Sequence, residues 1–334
     1  MTEHERMSDL LFGSLKTQLV GCAARLGLAD ALADDQLDAW TVADRLGTDP
    51  DVTARLLRAL CALELVTEAG PGQYRLTGTG SLLRTDRPDS VNSVVLAFAD
   101  PEMDAWKHPD QAVRSGRPAD LHGTTLFEFL GSRPELSERF NAAMRQITLP
   151  IALALPKAYD FSRFATIADV GGGDGTVLVE LLRANPRLHG LLCDSAKGLS
   201  EAPGTLAAAG VEDRCALRPG NVADTVPKGC DAYLLRSVLH NWDDQRCATI
   251  LGNCRAAIAT DGRLLLVETV LPAVVAPSDA VLYLNDLTML VNTGGRERTA
   301  AEIEKLCAGS GFTIVDLHPL PAPLPYSIVE AVPD

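Results

Sequence analysis

The sequence predicts an α/β fold: a mostly parallel, seven-stranded sheet covered by helices on both faces and finished by an antiparallel hairpin, with a small helical domain in front of it. Three observations predict this. From Phe164 onward, short apolar runs alternate with amphipathic helical stretches, the pattern of a parallel sheet. Before Asp160 the apolar spacing is helical almost throughout. Within that first part, two short helices precede strand-like runs around Gly70-Pro71-Gly72, which reads as a winged helix-turn-helix.

The elements follow in order. Residues 8–33 carry helical spacing, with Gly27 between two helices. A short helix follows over 41–47, with Thr41 as its N-cap and Gly47 past its end. Thr48 or Asp49 caps a longer helix that has Pro50 in its first turn. Residues 88–160 read as helices with breaks at Pro134, Pro150 and Pro156. Then come a strand TIADV, a helix stopped by Pro186, a strand HGLLCD, a short helix over 203–210 and a strand RCALRPGN. A strand DAYLLR leads to a helix capped by Asp243 or Asp244. The strand RLLLVETVLP, the helix TAAEIEKLCAGSGF and the hairpin TIVDLHPL/YSIVEAV complete the series.

Composition narrows the function. The chain has 334 residues, 46% hydrophobic and 22% charged, and a formal charge of −14 from 30 basic and 44 acidic side chains. That balance argues against coating DNA or an anionic membrane. Eight cysteines form no C-x-x-C pair, so zinc-type spacing is absent, and reduced thiols are expected. No apolar leader and no 18-residue apolar run are read, so a cytoplasmic protein is expected.

Two sequence blocks carry chemistry. Asp169-Val170-Gly171-Gly172-Gly173-Asp174-Gly175-Thr176 follows the first strand of the sheet and opens a helix. Glycines there let backbone turn sharply and approach a ligand. The spacing G-x-G-x-G departs from the dinucleotide fingerprint G-x-G-x-x-G, and no Gly-Lys-Ser/Thr follows for a P-loop. Asp194 ends the second strand of the sheet, 19 positions after Gly175, where a carboxylate can accept from a ribose diol. It reads equally as a solvated strand-end acid. The third strand ends in Gly220-Asn221-Val222, suited to an adenine amino group.

The second block is Leu235-Arg236-Ser237-Val238-Leu239-His240-Asn241-Trp242-Asp243-Asp244, which runs off the fourth strand toward the ligand edge of an open sheet. His240 is the one histidine of six in such a place, and an imidazole can take a proton from a phenol. It reads alternatively as a structural loop histidine. Glu268 ends the fifth strand and Glu297 lies in GGRERT; both can orient or charge-stabilise the ring. Glu297 also reads as a salt-bridge partner of its flanking arginines.

With these residues in place, the chain resembles the class I S-adenosylmethionine (SAM)-dependent O-methyltransferases of the plant caffeic acid type and their bacterial natural-product relatives. The resemblance covers nearly the whole chain. It implies a Rossmann-like SAM domain over 161–334, a winged-helix dimerisation domain over 1–97 and a helical substrate cap over 98–160. It implies that Asp169, Gly171, Gly172 and Gly173 hold the methionine part of SAM, Asp194 the ribose, and Asn221 and Val222 the adenine, with Arg236 near the adenine end. His240 is then the general base, flanked by Glu268 and Glu297. Met144, Trp106, Asn241, Met289 and Asn292 are placed at the acceptor, with Phe127 and Phe129 as further walls. No metal is implied. The family's Gly-Asp-Phe/Met is Gly220-Asn221-Val222 here, which removes a stacking face from the adenine side. Its His-Asp-Trp is His240-Asn241-Trp242.

The implied activity is methylation of an aromatic, phenolic hydroxyl of a bacterial secondary metabolite such as a polyketide, by a homodimer with no nucleic-acid or membrane partner. Three rivals are weighed. A SAM-binding hydroxylase-like relative loses the base, which this chain keeps. A DNA-binding regulator requires a basic face, yet residues 40–87 hold six arginines, no lysine and six acids. A NAD-dependent enzyme is disfavoured by the glycine spacing.

Overall fold

A computed structural model describes residues 2–100, 105–118 and 126–334, apart from the side chains at positions 127 and 128. The chain divides into two compact units, Met1–Asp104 with Leu130–Ile147 and Ala105–Phe129 with Thr148–Asp334. Residues 98–160 are thus shared between them.

In the first unit the helix Ala39–Leu46 precedes the helix Pro50–Ala62. Asp38 caps the former, accepting the Thr41 N–H at 2.8 Å. The expected Thr41 cap is therefore corrected: Thr41 lies inside the first turn. Asp49, not Thr48, caps the latter, with Pro50 directly after it. The wing is a three-stranded antiparallel sheet of β1 (Leu37–Asp38), β3 (Gln73–Leu76) and β2 (Val66–Gly70). Leu28, Leu32, Val42, Leu57, Leu60 and Val66 close its core. The first helix, Glu3–Leu11, buries none of its residues. It leaves Met7, Leu10 and Leu11 exposed, with Phe12 and Leu15 beyond it.

The second unit is built on β4 (Thr166–Val170), β5 (His189–Asp194), β6 (Cys215–Pro219), β7 (Ala232–Arg236), β8 (Arg263–Leu271), β9 (Arg298–Thr299), β10 (Phe312–Pro319) and β11 (Tyr326–Pro333). The sheet order is β10-β11-β8-β7-β4-β5-β6, and the short β9 pairs with the end of β8. Pairs among β8, β7, β4, β5 and β6 are parallel, while β11 joins β8 and β10 antiparallel. The seven strands of this order, the hairpin β10–β11 among them, match the sequence reading, and the two-residue β9 is an eighth that it did not contain. Order reverses between β4 and β7: the chain leaves β4 toward β5 on one side and returns to β7 on the other. Loops leaving the two strands diverge there and open a crevice at their carboxyl ends.

Two further differences from the sequence reading concern helices. Pro150 and Pro156 do not break the helix; it runs unbroken from Pro134 to Ala158. Pro134 is its first residue, where a missing N–H costs nothing. Buried Ile151, Ala152, Ala154 and Leu155 lock the later part into the core with Ile167 and Leu178, and this burial outweighs the lost backbone bonds. The helix Ala280–Thr293 was not expected at all. Val281, Leu284 and Leu287 are exposed on it, so apolar residues lie on more than one face and blur the period.

Candidate active site

The glycine loop leaves β4 with three left-handed residues, Gly171, Gly173 and Gly175, at φ of 79°, 57° and 81°. A side chain at Gly171 would meet Val238 Cγ2 at 2.7 Å, and one at Gly172 would meet Leu192 and Asp169 at 2.4 and 2.5 Å. No described residue lies within 4 Å of a Cβ at Gly173. The loop is therefore packed against protein below and has open space at its tip. Gly171 N–H donates to Cys193 O at 2.7 Å and Gly173 N–H to Asp194 Oδ2 at 2.9 Å, so β5 fixes the turn. Asp194 Oδ1 also accepts from Ser195 N–H at 2.6 Å. Asp194 thus serves the loop's structure and keeps spare lone pairs for a diol.

Asp169 lies under this loop, 1% exposed, with no hydrogen-bond partner for either oxygen among the described residues. Burial, and secondly the charge of Asp194, push its carboxyl up to about 7. Asn221 is exposed beyond β6, its Oδ1 turned to its own Ala223 N–H at 3.0 Å. Val222 packs against the core cluster that holds Val170 and Tyr233. Arg236 is not beside Asn221. It ends β7, on the other side of β4 from β5 and β6, where its guanidinium lies 5.6 Å from the Tyr326 ring centroid and donates to Thr148 Oγ1 at 2.9 Å.

After Arg236 the chain turns through Ser237, a left-handed non-glycine at φ 52°, into the short turn Leu239–Asn241 that carries His240. Four segments hold that turn. Glu268 of β8 accepts both Val238 N–H and Leu239 N–H on Oε1, at 3.1 and 2.9 Å, while its buried Oε2 has no partner among the described residues. Arg298, 4% exposed, donates to the carbonyls of Leu239 and Trp242 at 3.1 and 2.9 Å and pairs with Asp244. Arg296 N–H donates to His240 O at 2.9 Å. That approach requires Gly295, where a Cβ would lie 2.0 Å from His240 O. The helix Ala280–Thr293 packs against the same turn.

His240 Nδ1 lies 3.0 Å from Glu297 Oε1, and Glu297 is 2% exposed. The flanking arginines pair elsewhere, Arg296 with Glu302 and Arg298 with Asp244, so the salt-bridge reading of Glu297 is replaced by a bond to His240. A carboxylate only accepts, so in the neutral ring Nδ1 carries the proton and Nε2 presents its lone pair. Burial opposes the imidazolium, but the bond to Glu297 and the charges of Glu268 and Glu297 outweigh it and hold the ring above its ordinary pKa. Burial likewise raises Glu268.

Ligand-capable atoms of His240, Glu268 and Glu297 lie within 4.8 Å of one another. Glu268 Oε1 and Glu297 Oε1 are engaged in the bonds just described.

The acceptor-side residues divide. Asn241 Nδ2 donates back to Ser237 O at 3.0 Å and so braces the turn. Met289 and Asn292 stand four and seven residues after Asn285 on one helix face, and Asn285 itself donates to Glu297 Oε1 at 2.7 Å. The face that carries them is therefore the one turned to the His240 cluster. Trp106 Nε1 donates to Thr288 Oγ1 at 3.3 Å on the same helix. Phe129 is buried at 3%. Met144 is half-buried and belongs to the first unit. The Phe127 side chain lies outside the described residues. Asn285, Arg298 and the helix that carries Asn285 escaped the sequence reading; the only signal for the last was the stop at Gly294-Gly295.

Comparison with known proteins decides the family. Residues 106–313 match the model of an O-methyltransferase domain and residues 8–86 that of an O-methyltransferase dimerisation domain. The chain is 42% identical to an O-demethylpuromycin-O-methyltransferase of Streptomyces alboniger, over 98% of this chain and 89% of that protein. The chain belongs to the O-methyltransferase family. Among solved structures, LaPhzM superposes with a TM-score of 0.92 at 36% identity, covering 100% of both chains. NcsB1, an O-methyltransferase from neocarzinostatin biosynthesis solved with SAM and 2-hydroxy-5-methyl naphthoic acid, gives 0.80 at 31% identity over 96% of each chain.

As a member of this family the protein is a SAM-dependent O-methyltransferase. Its residues fit that cofactor on two counts: a buried Asp169 beneath the glycine loop with no partner among the described residues, and the space they leave open at Gly173. The family implies no metal.

Proposed function

We propose that this O-methyltransferase methylates a phenolic hydroxyl of an aromatic bacterial natural product, with His240 as general base. The observation that carries the reading is the Glu297–His240 pair at 3.0 Å, which leaves Nε2 as the proton acceptor on the turn that abuts the glycine loop through Val238. The puromycin-pathway relative and the naphthoic acid complex support an aromatic acceptor.

SAM, when bound, supplies a methyl group on a sulfonium. Gly171, Gly172, Gly173, Asp169 and Asp194 would hold it, with Asn221 and Val222 at the adenine side; Arg236, at the end of β7, acts electrostatically on both Asp169 and His240. His240 Nε2 takes the phenolic proton, and Glu297 steadies the imidazolium. A phenol ionises near pH 10, so a positioned base raises the reactive fraction. Glu268 holds the turn through two backbone bonds. The helix face of Met289 and Asn292, with Trp106 pinned to Thr288, forms the acceptor side. Alignment of oxygen and methyl supplies much of the acceleration.

We further infer a homodimer through the N-terminal domain, residues 1–97. The match to a dimerisation domain and the exposed Met7, Leu10, Leu11, Phe12 and Leu15 support it. No helix among the described residues is long and apolar enough to cross a membrane. With free cysteines throughout and a charge of −14, this supports a cytoplasmic protein with no nucleic-acid partner.

The test is His240→Ala with a panel of phenolic and amine acceptors and methyl-labelled SAM. Turnover on phenols should fall by about 100-fold or more with SAM affinity unchanged. Phenol turnover that survives the substitution would remove His240 as the base. Amines, which attack without losing a proton first, should be affected far less.

A further inference from the structure

Asn285 is assigned no role by the reading above, yet it touches the atom on which the base depends. Its Nδ2 lies 2.7 Å from Glu297 Oε1, closer than the 3.0 Å between that oxygen and His240 Nδ1. One carboxylate oxygen therefore accepts from two donors. The orientation of the carboxamide is fixed, because only its nitrogen can face an acceptor.

We propose that Asn285 is a positioning residue for the base: by occupying part of the Glu297 oxygen that holds His240, it limits how strongly Glu297 grips the imidazole N–H. This inference rests on His240 acting as the base. The geometry separates the electronic role from a structural one. Glu297 is anchored independently of Asn285, since its backbone N–H donates to Asp286 Oδ1 at 2.8 Å. Removing the Asn285 amide therefore leaves the Glu297 backbone held and its Oε1 with the His240 N–H, the other partner of that oxygen.

The charged and titratable groups around the ring come from four elements. Glu268 comes from β8, Glu297 from the segment before β9, Arg236 from the end of β7 and Asp286 from the helix Ala280–Thr293. Among the hydrogen-bond partners of the Glu297 carboxylate oxygen that meets His240, Asn285 is neutral, so replacing it with leucine changes the grip without changing the charge count.

The test follows the His240 ring by nitrogen NMR across a pH titration in the full-length enzyme, alongside the pH profile of kcat/KM on a phenolic acceptor. In Asn285→Leu the His240 pKa should rise by about half to one unit, because an unshared carboxylate stabilises the imidazolium more. The neutral ring is the base, so the acidic limb of the profile should move to higher pH by the same amount. Asn285→Asp, which sets a second carboxylate beside Glu297, should raise the pKa further. Asn285→Ser, too short to reach the carboxylate, repeats the leucine test if that variant does not fold. An unmoved or lowered His240 pKa, or lost activity with an unmoved acidic limb, would overturn the proposal and leave Asn285 a packing role. The titration reads the ring directly, so its failure is distinct from retained phenol turnover in His240→Ala, which would sink the base instead.

Discussion

The two ends of the crevice are built by opposite means. At the glycine loop, side chains are missing: Gly171, Gly172 and Gly175 bring bare backbone against Val238 and Leu192, and one acid is buried without a partner among the described residues. At the His240 turn, side chains are abundant: Glu268, Glu297 and Arg298 hold the turn or its histidine through hydrogen bonds, and Asn285 in turn bonds Glu297. A ligand-facing backbone needs room, whereas a base needs a fixed tautomer and direction. The first end should therefore fail abruptly when atoms are added, and the second gradually when bonds are removed.

The largest expected effect is at the loop. Gly172→Val would drive a side chain into Leu192 and Asp169, contacts already at 2.4 and 2.5 Å for a single Cβ. SAM affinity, read by calorimetry, should fall by about 100-fold or more. Binding within a few fold of the parent would show that the loop is not the cofactor's seat. Arg298→Leu comes next: it strips the donor from the carbonyls of Leu239 and Trp242. The cost should be about 2 kcal/mol of stability, with kcat falling more than KM changes. Denaturant melts and steady-state kinetics would show whether the turn truly depends on this side chain.

The pH dependence sharpens the contrast further. Asp169 is raised to about 7 from the ordinary carboxylate value of 3.8, so its contribution to stability is full below about 4 and is lost as pH rises through 7. The melting temperature of the SAM-free protein should decline over that window, and Asp169→Asn should flatten the decline. A parallel slope in both proteins would mean the acid is solvated. The smallest effect is expected from Val222→Met, which offers adenine a polarisable thioether and should tighten SAM by a few fold at most.

How much of this could be read from sequence follows the same division. The glycine loop was legible because its contacts are local: a strand, a turn and a helix start within a dozen residues. His240, Glu268 and Glu297 were legible as strand-end and loop residues that one sheet edge gathers together. Arg298 and Asn285 were not, because their meaning lies in partners found only after folding, 59 residues away for Arg298 with Leu239 O. Asn285 was doubly hidden, since its helix has apolar residues on several faces and gave no clean period. Arg236 shows the converse: its place in a motif suggested adenine, while the strand order puts it on the other side of β4. The prolines at 150 and 156 were over-read, because local rules cannot see how deeply the intervening residues are buried.

The 57-residue gap between His240 and Glu297 has a consequence for assembly. The loop that surrounds Gly173 donates backbone hydrogen bonds to β5, the next strand in sequence, whereas the base acquires its partner after β8 has been laid down and the chain has doubled back past Gly295. A chain that stops short of Gly295 therefore has the loop's hydrogen-bond partners available but lacks the carboxylate that fixes the tautomer of His240, so methyl transfer depends on the longer-range of the two pairings.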